Sequence, residues 1–391
     1  MNQGKVCVIQ YNSSRFLTRV DRAARTLAQA GYEVVLIAIK DDETPAFEQR
    51  NGYTVKRVEL ASRRLPRGFG LKFVRFAEGI WRTFVAAWRE DADIYDARDA
   101  YPLFAAHLAA KLRGARLVYD SDELNLDRNW KVSSNAVWRF LMKSYEGFYI
   151  RHADAAITSD FGRSEVLSER YRIQPPTVLL NVPEVIQTLS PDLDFRARAL
   201  GDRRYLLIYQ GILVPNRGLP EMIEAMRQLP ECRLALVGYG AMERELKEKV
   251  RREGLDDAVV FFDAVPYPEL MRYTAACDLG VIPLIGSCLS YVYAAPNKLF
   301  EYMMSALPVV ATDLPDMARV VTGERVGALI GDPTDPTSIA TAVRAVLEDP
   351  AGVKAVGERA RAAALERYNW DAEKEKLLAV YAKLQAAGAA R

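Results

Sequence analysis

Short apolar runs alternate with stretches of helical spacing along most of this chain, and no other feature restricts its fold as much. Val6 to Tyr11 is followed by Val20 to Ala30, apolar at three- and four-residue intervals, then by Gly31 and a second run, Val34 to Ile39. Strand, helix and strand in that order give a parallel pair. The pattern continues with a helix at Pro102 to Leu112, a strand at Arg116 to Tyr119, a helix near Val137 to Ile150, and strands at Ala155 to Thr158 and Thr177 to Leu180. A second series opens at Tyr205 to Gln210. It runs through strands at Arg233 to Val237, Val259 to Phe262, Leu279 to Pro283, Pro308 to Thr312 and Gly327 to Ile330, with helices from Pro220, Met242, Pro268 and Pro296 between them.

Two such series in 391 residues exceed what one hydrophobic core organises, so two doubly wound α/β domains are expected, 1–188 and 189–371. Ile186 to Arg204, with Pro191 and the charged stretch Asp192 to Arg198, reads as the hinge. A final helix, within 372–391 and capped by Asp371, could pack on either domain. Ligand is expected in the cleft between the domains, at carboxyl ends of strands.

Half the residues are hydrophobic and the net charge is +2, which excludes disorder and gives no global attraction to nucleic acid. Cys7, Cys232, Cys277 and Cys288 stand at no metal-ligand spacing and read as reduced thiols. The opening residues lack the apolar core of a signal peptide and no apolar run approaches a membrane span, so a cytosolic address is expected.

Charge is nevertheless uneven. Residues 50–90 hold ten Lys/Arg against three Glu, and within them Leu65 to Phe76 leads into Trp81, Phe84 and Trp88, mixing cations with large apolar groups. Such a segment, residues 63–89, suits the surface of an anionic membrane. The competing expectation, favoured for its apolar face, is an ordinary helix burying Phe73, Phe76, Ile80, Phe84 and Trp88 in the first domain.

Three loops of the second series suggest an anion site. Tyr209 to Gly218 ends a strand at Gly211 and carries Arg217 before a helix; Leu236 to Gly240 runs a strand into a glycine turn with Gly238 and Tyr239; Pro296 suits the first turn of a helix whose free amides lie near Asn297 and Lys298. Lys298 and Glu301 share a helix face, so a cation for phosphate and a carboxylate for ribose hydroxyls can reach one nucleotide. Each loop singly also reads as a turn, a solvated charge or a surface ion pair; all three follow strands of one sheet, and that joint placement points to function.

These stretches, with Val259 to Pro283, Pro296 to Asp313 and Tyr368 to Leu384, resemble the GT-B glycosyltransferases, most closely glycosyltransferase family 4, over nearly the whole chain. The resemblance implies two Rossmann-like domains facing each other across a cleft, and sugar transfer from a nucleotide diphosphate-sugar, UDP- or GDP-linked, to a saccharide or lipid-linked saccharide, with retention and without metal or other cofactor. It implies that Arg217 and Lys298 neutralise the diphosphate, that Glu301 holds the ribose and that the loop at Val265 and Pro266 meets the base; Gly211, Gly238, Tyr239 and Asn297, from the three loops, complete the expected donor-binding set. The family places an arginine where Ile212 stands, and a carboxylate facing the sugar where Tyr293 stands, so Tyr293 takes that place in the donor pocket.

The acceptor side is expected at Asn12, Arg19, Arg98, Asp99, Asp122 and Glu123; the stretches 93–99 and 117–123 resemble family segments, with Asp122 where relatives carry a histidine, and Arg217, Lys298 and Asp122 form the expected catalytic set. Asp120-Ser121-Asp122 also has the form that binds a metal in the other glycosyltransferase fold, but here the diphosphate features lie in the other series. Only His107 and His152 are present, and both read as core or surface residues. An NDP-sugar epimerase on the same frame is the alternative, with a non-catalytic nucleotide-sugar binding subunit beside it, suggested by Ile212 and Tyr293.

Overall fold

The computed structural model describes residues 3–14, 18–64, 69–127 and 136–389. They divide into two compact units: residues up to Leu179 together with the chain from Lys374 onward, and Leu180–Glu373. Ile186 to Arg204 is therefore not a linker. It contains a helix, Leu193–Leu200, whose N-cap Asp192 accepts a hydrogen bond from the Phe195 amide at 2.8 Å. Phe195 is fully buried and stacks on Tyr273 at 4.1 Å, so apolar contact makes this charged stretch part of the second unit.

The first unit is built on eight strands: β1 (Lys5–Gln10), β2 (Glu33–Ile39), β3 (Phe47–Arg50), β4 (Tyr53–Val58), β5 (Ile94–Arg98), β6 (Arg116–Ser121), β7 (Ala155–Thr158) and β8 (Thr177–Val178). Their order is β3-β4-β2-β1-β5-β6-β7-β8, parallel except for β3 against β4. The β3–β4 hairpin, which the periodicity does not predict, turns at Asn51-Gly52, where both residues have positive φ. It also uses three of the ten cations of the basic window internally: Arg57 and Arg50 pair with Glu48, and Lys56 pairs with Glu90. The chain returns to this unit in the helix Trp370–Ala389, whose Tyr381 hydroxyl donates to buried Asp96 at 2.8 Å. Asn369, not Asp371, caps that helix, accepting from the Ala372 amide at 3.0 Å.

The second unit holds six parallel strands: β9 (Tyr205–Gln210), β10 (Cys232–Val237), β11 (Val259–Phe262), β12 (Leu279–Ile282), β13 (Val309–Thr312) and β14 (Gly327–Ile330), in the order β11-β10-β9-β12-β13-β14. Every residue of β9 is buried, as expected of a parallel strand covered on both faces. Leu207, Leu236, Val281 and Val310 of the sheet share a core with Ile339 and Val343 of the helix Pro336–Leu347. Each such buried side chain contributes roughly 1.5–3 kcal/mol. The four cysteines are free, and Cys7, Cys232 and Cys277 are buried.

Candidate functional site

In the second unit β9 is flanked by β10 on one side and β12 on the other, so the chain's crossovers leave β9 in opposite directions there. That reversal opens a crevice at the carboxyl ends of the two strands, where ligands of doubly wound sheets bind. The loop after β9 is tied to its neighbours by backbone bonds: Gly211 N–H to Val237 carbonyl at 3.0 Å, Leu213 N–H to Tyr239 carbonyl at 2.8 Å, and Ile285 N–H to Asn216 carbonyl at 3.0 Å. A side chain at Gly238, whose φ is +152°, would put Cβ 2.0 Å from the Gly211 carbonyl oxygen; at Gly218, φ +64°, it would meet the Pro283 carbonyl at the same distance. The backbone freedom of Gly238 thus serves the approach of one loop to another.

The loop after β9 carries Arg217, whose guanidinium stands 4.9 Å from the Tyr291 ring centroid. Lys298 lies in the first turn of the helix Asn297–Met304, its ammonium 3.6 Å above the Tyr209 ring. A Cβ on Gly211 would come within 3.2 Å of that ammonium, so the glycine leaves it room. Neither cation has a carboxylate at ion-pair distance among the described residues. Burial first, and then the charge of Arg217, hold Lys298 well below the ordinary lysine range, against a smaller opposing effect of Glu301. Two uncompensated cations beside the unbonded amides of a helix N-terminus form a site for a multivalent anion.

Glu301, one turn further along the same helix, is oriented by a relay that the sequence does not reveal. Thr274 Oγ1 donates to Gln210 Oε1 at 2.6 Å, and Gln210 Nε2 donates to Glu301 Oε2 at 2.5 Å. Gln210 and Thr274 are buried, and the amide therefore fixes which way the carboxylate faces. Asn297 opens the helix, Tyr293 ends the short helix Leu289–Val292, and Val265 lies half-buried between β11 and the helix Tyr267–Ala275. Tyr239 is 60% exposed. Tyr209, Gln210, Thr274 and Tyr291 are the members sequence reasoning missed, since a lone aromatic, amide or hydroxyl at a strand or helix end carries no pattern.

In the first unit the predicted acceptor-side residues divide into enclosed and open ones. Arg98, at the end of β5, is 2% exposed and sits between Asp96, at 2.7 Å, and Asp120. Arg19, 4% exposed, donates to Asp120 at 2.9 Å and to the Leu179 carbonyl at 2.5 Å, with Nε beside Asp122 at 2.5 Å in an ion pair lacking hydrogen-bond geometry. Both arginines are consumed in holding carboxylates. Asp120 is likewise occupied by two arginines, which outweigh burial and hold it below the usual carboxylate range. Burial pushes Asp96 and Asp122 above that range. Three carboxylates thus share two cations. Asp122 remains partly exposed, while its backbone carbonyl accepts from Ser159 and Arg163. Asp99 follows β5 at φ +67° and Glu123 is exposed; Asn12 turns its side chain to the Ser14 amide at 2.9 Å. Among the described residues no three His, Cys, Asp or Glu side chains are grouped to hold a metal. His107 and His152 sit in an aromatic cluster with Phe148, their rings 5.9 Å apart.

Comparison with known proteins gives this geometry a family. A sequence model described as "Glycosyl transferases group 1" matches residues 204–349, and one described as "Glycosyl transferase 4-like domain" matches 17–179. The chain is 30% identical over 214 residues to the GDP-mannose-dependent alpha-(1-6)-phosphatidylinositol monomannoside mannosyltransferase of Mycolicibacterium smegmatis, a match spanning 50% of this chain and 54% of that enzyme. Among solved structures, sucrose-phosphate synthase from Thermosynechococcus elongatus superposes with TM-score 0.81 at 20% identity, covering 98% of this chain and 99% of that one. Anabaena HepE in complex with UDP-glucose follows at TM-score 0.74 and 15% identity, covering 97% and 100%. With two parallel-sheet Rossmann-like units and both glycosyltransferase models on it, the chain belongs to the GT-B glycosyltransferases of the family-4 type.

Proposed function

We propose that this enzyme moves a hexose from a UDP- or GDP-sugar to a saccharide or lipid-linked saccharide, with retention of configuration and without a metal, in the assembly of envelope polysaccharide or glycoconjugate. The observation that carries the reading is the pair of cations, Arg217 and Lys298, unpaired beside the amides of Asn297 and Lys298. In the reaction the bond between the sugar's C1 and the β-phosphate oxygen breaks, and a bond from C1 to an acceptor oxygen forms on the same face. The acceptor's proton passes to the departing phosphate. Charge grows on the diphosphate as it leaves, so fixed cations aimed at it stabilise the transition state more than the ground state. That task needs no protein base and suits a site without histidine.

Glu301, turned by Gln210, offers acceptors to the ribose hydroxyls in this reading, and Val265 lies toward the base. A GDP-sugar is the first donor to try, because the mannosyltransferase of M. smegmatis is GDP-mannose-dependent; HepE binds UDP-glucose. A partly exposed Asp122 is the acceptor-side carboxylate of the reading, and contact of residues 63–89 with a membrane surface at its cytosolic face accompanies a lipid-linked acceptor.

The test is NMR observation of GDP-mannose and UDP-glucose incubated with the protein and a chelator, using water as the slow acceptor. The first-formed free sugar should keep the donor's anomeric configuration, at a rate unchanged by chelation. An inverted anomer, chelator-sensitive turnover, or an epimerised donor would each contradict the proposal, and binding without any turnover would leave only a nucleotide-sugar binding subunit.

A further inference from the structure

Seventeen large hydrophobic side chains are exposed among the described residues, and twelve of them lie on three helices of the first unit: Phe69–Arg89, Leu103–Arg113 and Ala136–His152. The middle helix packs against both others, so the three lie side by side. The expectation that the first would bury its apolar face holds for Phe84, at 7% exposure, but not for Phe73 at 63%, Phe76 at 43% or Trp88 at 39%. Trp81, at 60%, joins them. On the third helix Val137, Leu141 and Phe148 fall at four- and seven-residue spacing, one stripe, and are 67%, 54% and 47% exposed; Phe140 beside them is 69% exposed. A helix of a water-soluble unit normally turns such a stripe inward, and a contiguous apolar surface shared by neighbouring helices marks a contact site.

The charge on the same helices selects the partner. They carry nine Lys/Arg and two Glu. Glu78 is taken by Arg82 and by the Ala61 and Ser62 amides, and Glu146 is buried between the hydroxyls of Tyr119 and Tyr171. Arg82, Arg89, Lys111 and Lys143 are exposed. A second copy laid on this face by two-fold symmetry would set cations against cations, which costs rather than gains. A bilayer with anionic headgroups answers both features, taking the aromatic and aliphatic side chains at its boundary and the cations at its phosphates.

We propose that the exposed face of these three helices docks the enzyme on an anionic membrane surface. No helix among the described residues is long and apolar enough to cross a membrane, and the docking is peripheral. It extends the acceptor part of the reading above from residues 63–89 to a three-helix surface, and rests on that reading only for the acceptor being lipid-linked.

The test is co-sedimentation of the full chain with vesicles of phosphatidylcholine alone and of phosphatidylcholine with phosphatidylglycerol, at low and high salt. Two variants change only exposed side chains: Lys111→Glu with Lys143→Glu, and Val137→Ser with Phe140→Ser. The protein should pellet with anionic vesicles and not with neutral ones, and salt should release it. Charge reversal should weaken the partition about tenfold or more, and the serine pair should weaken it as well. Stabilisation by a nucleotide-sugar should be unchanged in both variants, which separates failure here from failure of the donor reading. Binding to neither vesicle, equal binding to both, or partition indifferent to both variants would overturn the proposal. Concentration-dependent dimerisation abolished by the serine pair, without vesicle binding, would assign the face to a second copy.

Discussion

At the scale of single residues, Lys298 carries the most informative tension. Its ammonium stands over the Tyr209 ring, partly buried beside Arg217 and without a carboxylate at ion-pair distance, an arrangement that costs stability until an anion arrives. Lys298→Met should therefore raise the melting temperature of the unliganded protein, by roughly 2–4 °C if about 1 kcal/mol is relieved, while abolishing nucleotide-sugar binding. The pH dependence has a fixed sign. Because the folded value lies below the unfolded one, the folded chain binds fewer protons between the two values, and its stability rises with pH across that window. Donor affinity should fall as pH rises through the depressed value, well before 10.5, and binding above it should take up a proton, as calorimetry in buffers of different ionisation heats would show. Affinity that stays constant to pH 10 would show Lys298 to be an ordinary lysine. Arg217, Lys298 and Glu301 are legible in the sequence because each sits at a fixed offset from a glycine or proline that marks a strand end or helix start. Gln210 and Thr274 are not, since their role arises only when segments 64 residues apart meet. Arg98 is legible as polar but not as enclosed: its partner Asp120 comes from the adjacent strand, and pairing across a sheet leaves no local trace.

At the scale of elements, the donor-side loops act as one locked piece, since each is bonded to the next through backbone atoms. Gly238→Ala tests this. The added carbon would stand 2.0 Å from the Gly211 carbonyl oxygen, at a φ of +152°. It should cost about 2 kcal/mol or more and weaken donor binding with it, although Gly238 offers a ligand no side chain. Unchanged stability would show that the loops move independently. Elements with strong periodicity are legible, β9, β11 and β14 to the residue. The β3–β4 hairpin is not, because Arg50, Lys56 and Arg57 give it the look of a solvated charge run while their ion pairs place them on a folded sheet. The helix Leu193–Leu200 is missed for the same reason: Asp192, Asp194, Arg196 and Arg198 outweigh, by composition, the single Phe195 that anchors it.

At the scale of the whole molecule, the doubly wound architecture was legible because alternation of strand and helix survives every local exception, and the family models match residues in both halves. What alternation does not show is where the chain's end goes. The helix Trp370–Ala389 is held to the first unit by Tyr381 and buried Asp96, a contact between residues 285 apart in sequence. Nor does it show that cationic helices would keep large apolar side chains exposed, since periodicity gives the stripe but not what covers it. The central claim is that Arg217, Lys298 and Glu301 bind the nucleotide of a sugar donor. A thermal-shift panel of UDP-, GDP-, ADP- and CMP-sugars tests it most directly, on the native chain and on Arg217→Ala and Glu301→Ala. One nucleotide class should stabilise the native chain, Arg217→Ala should weaken that donor by about 10- to 100-fold, and Glu301→Ala should lower its affinity as well. No shift with any donor, or a shift that survives Arg217→Ala undiminished, would contradict the account.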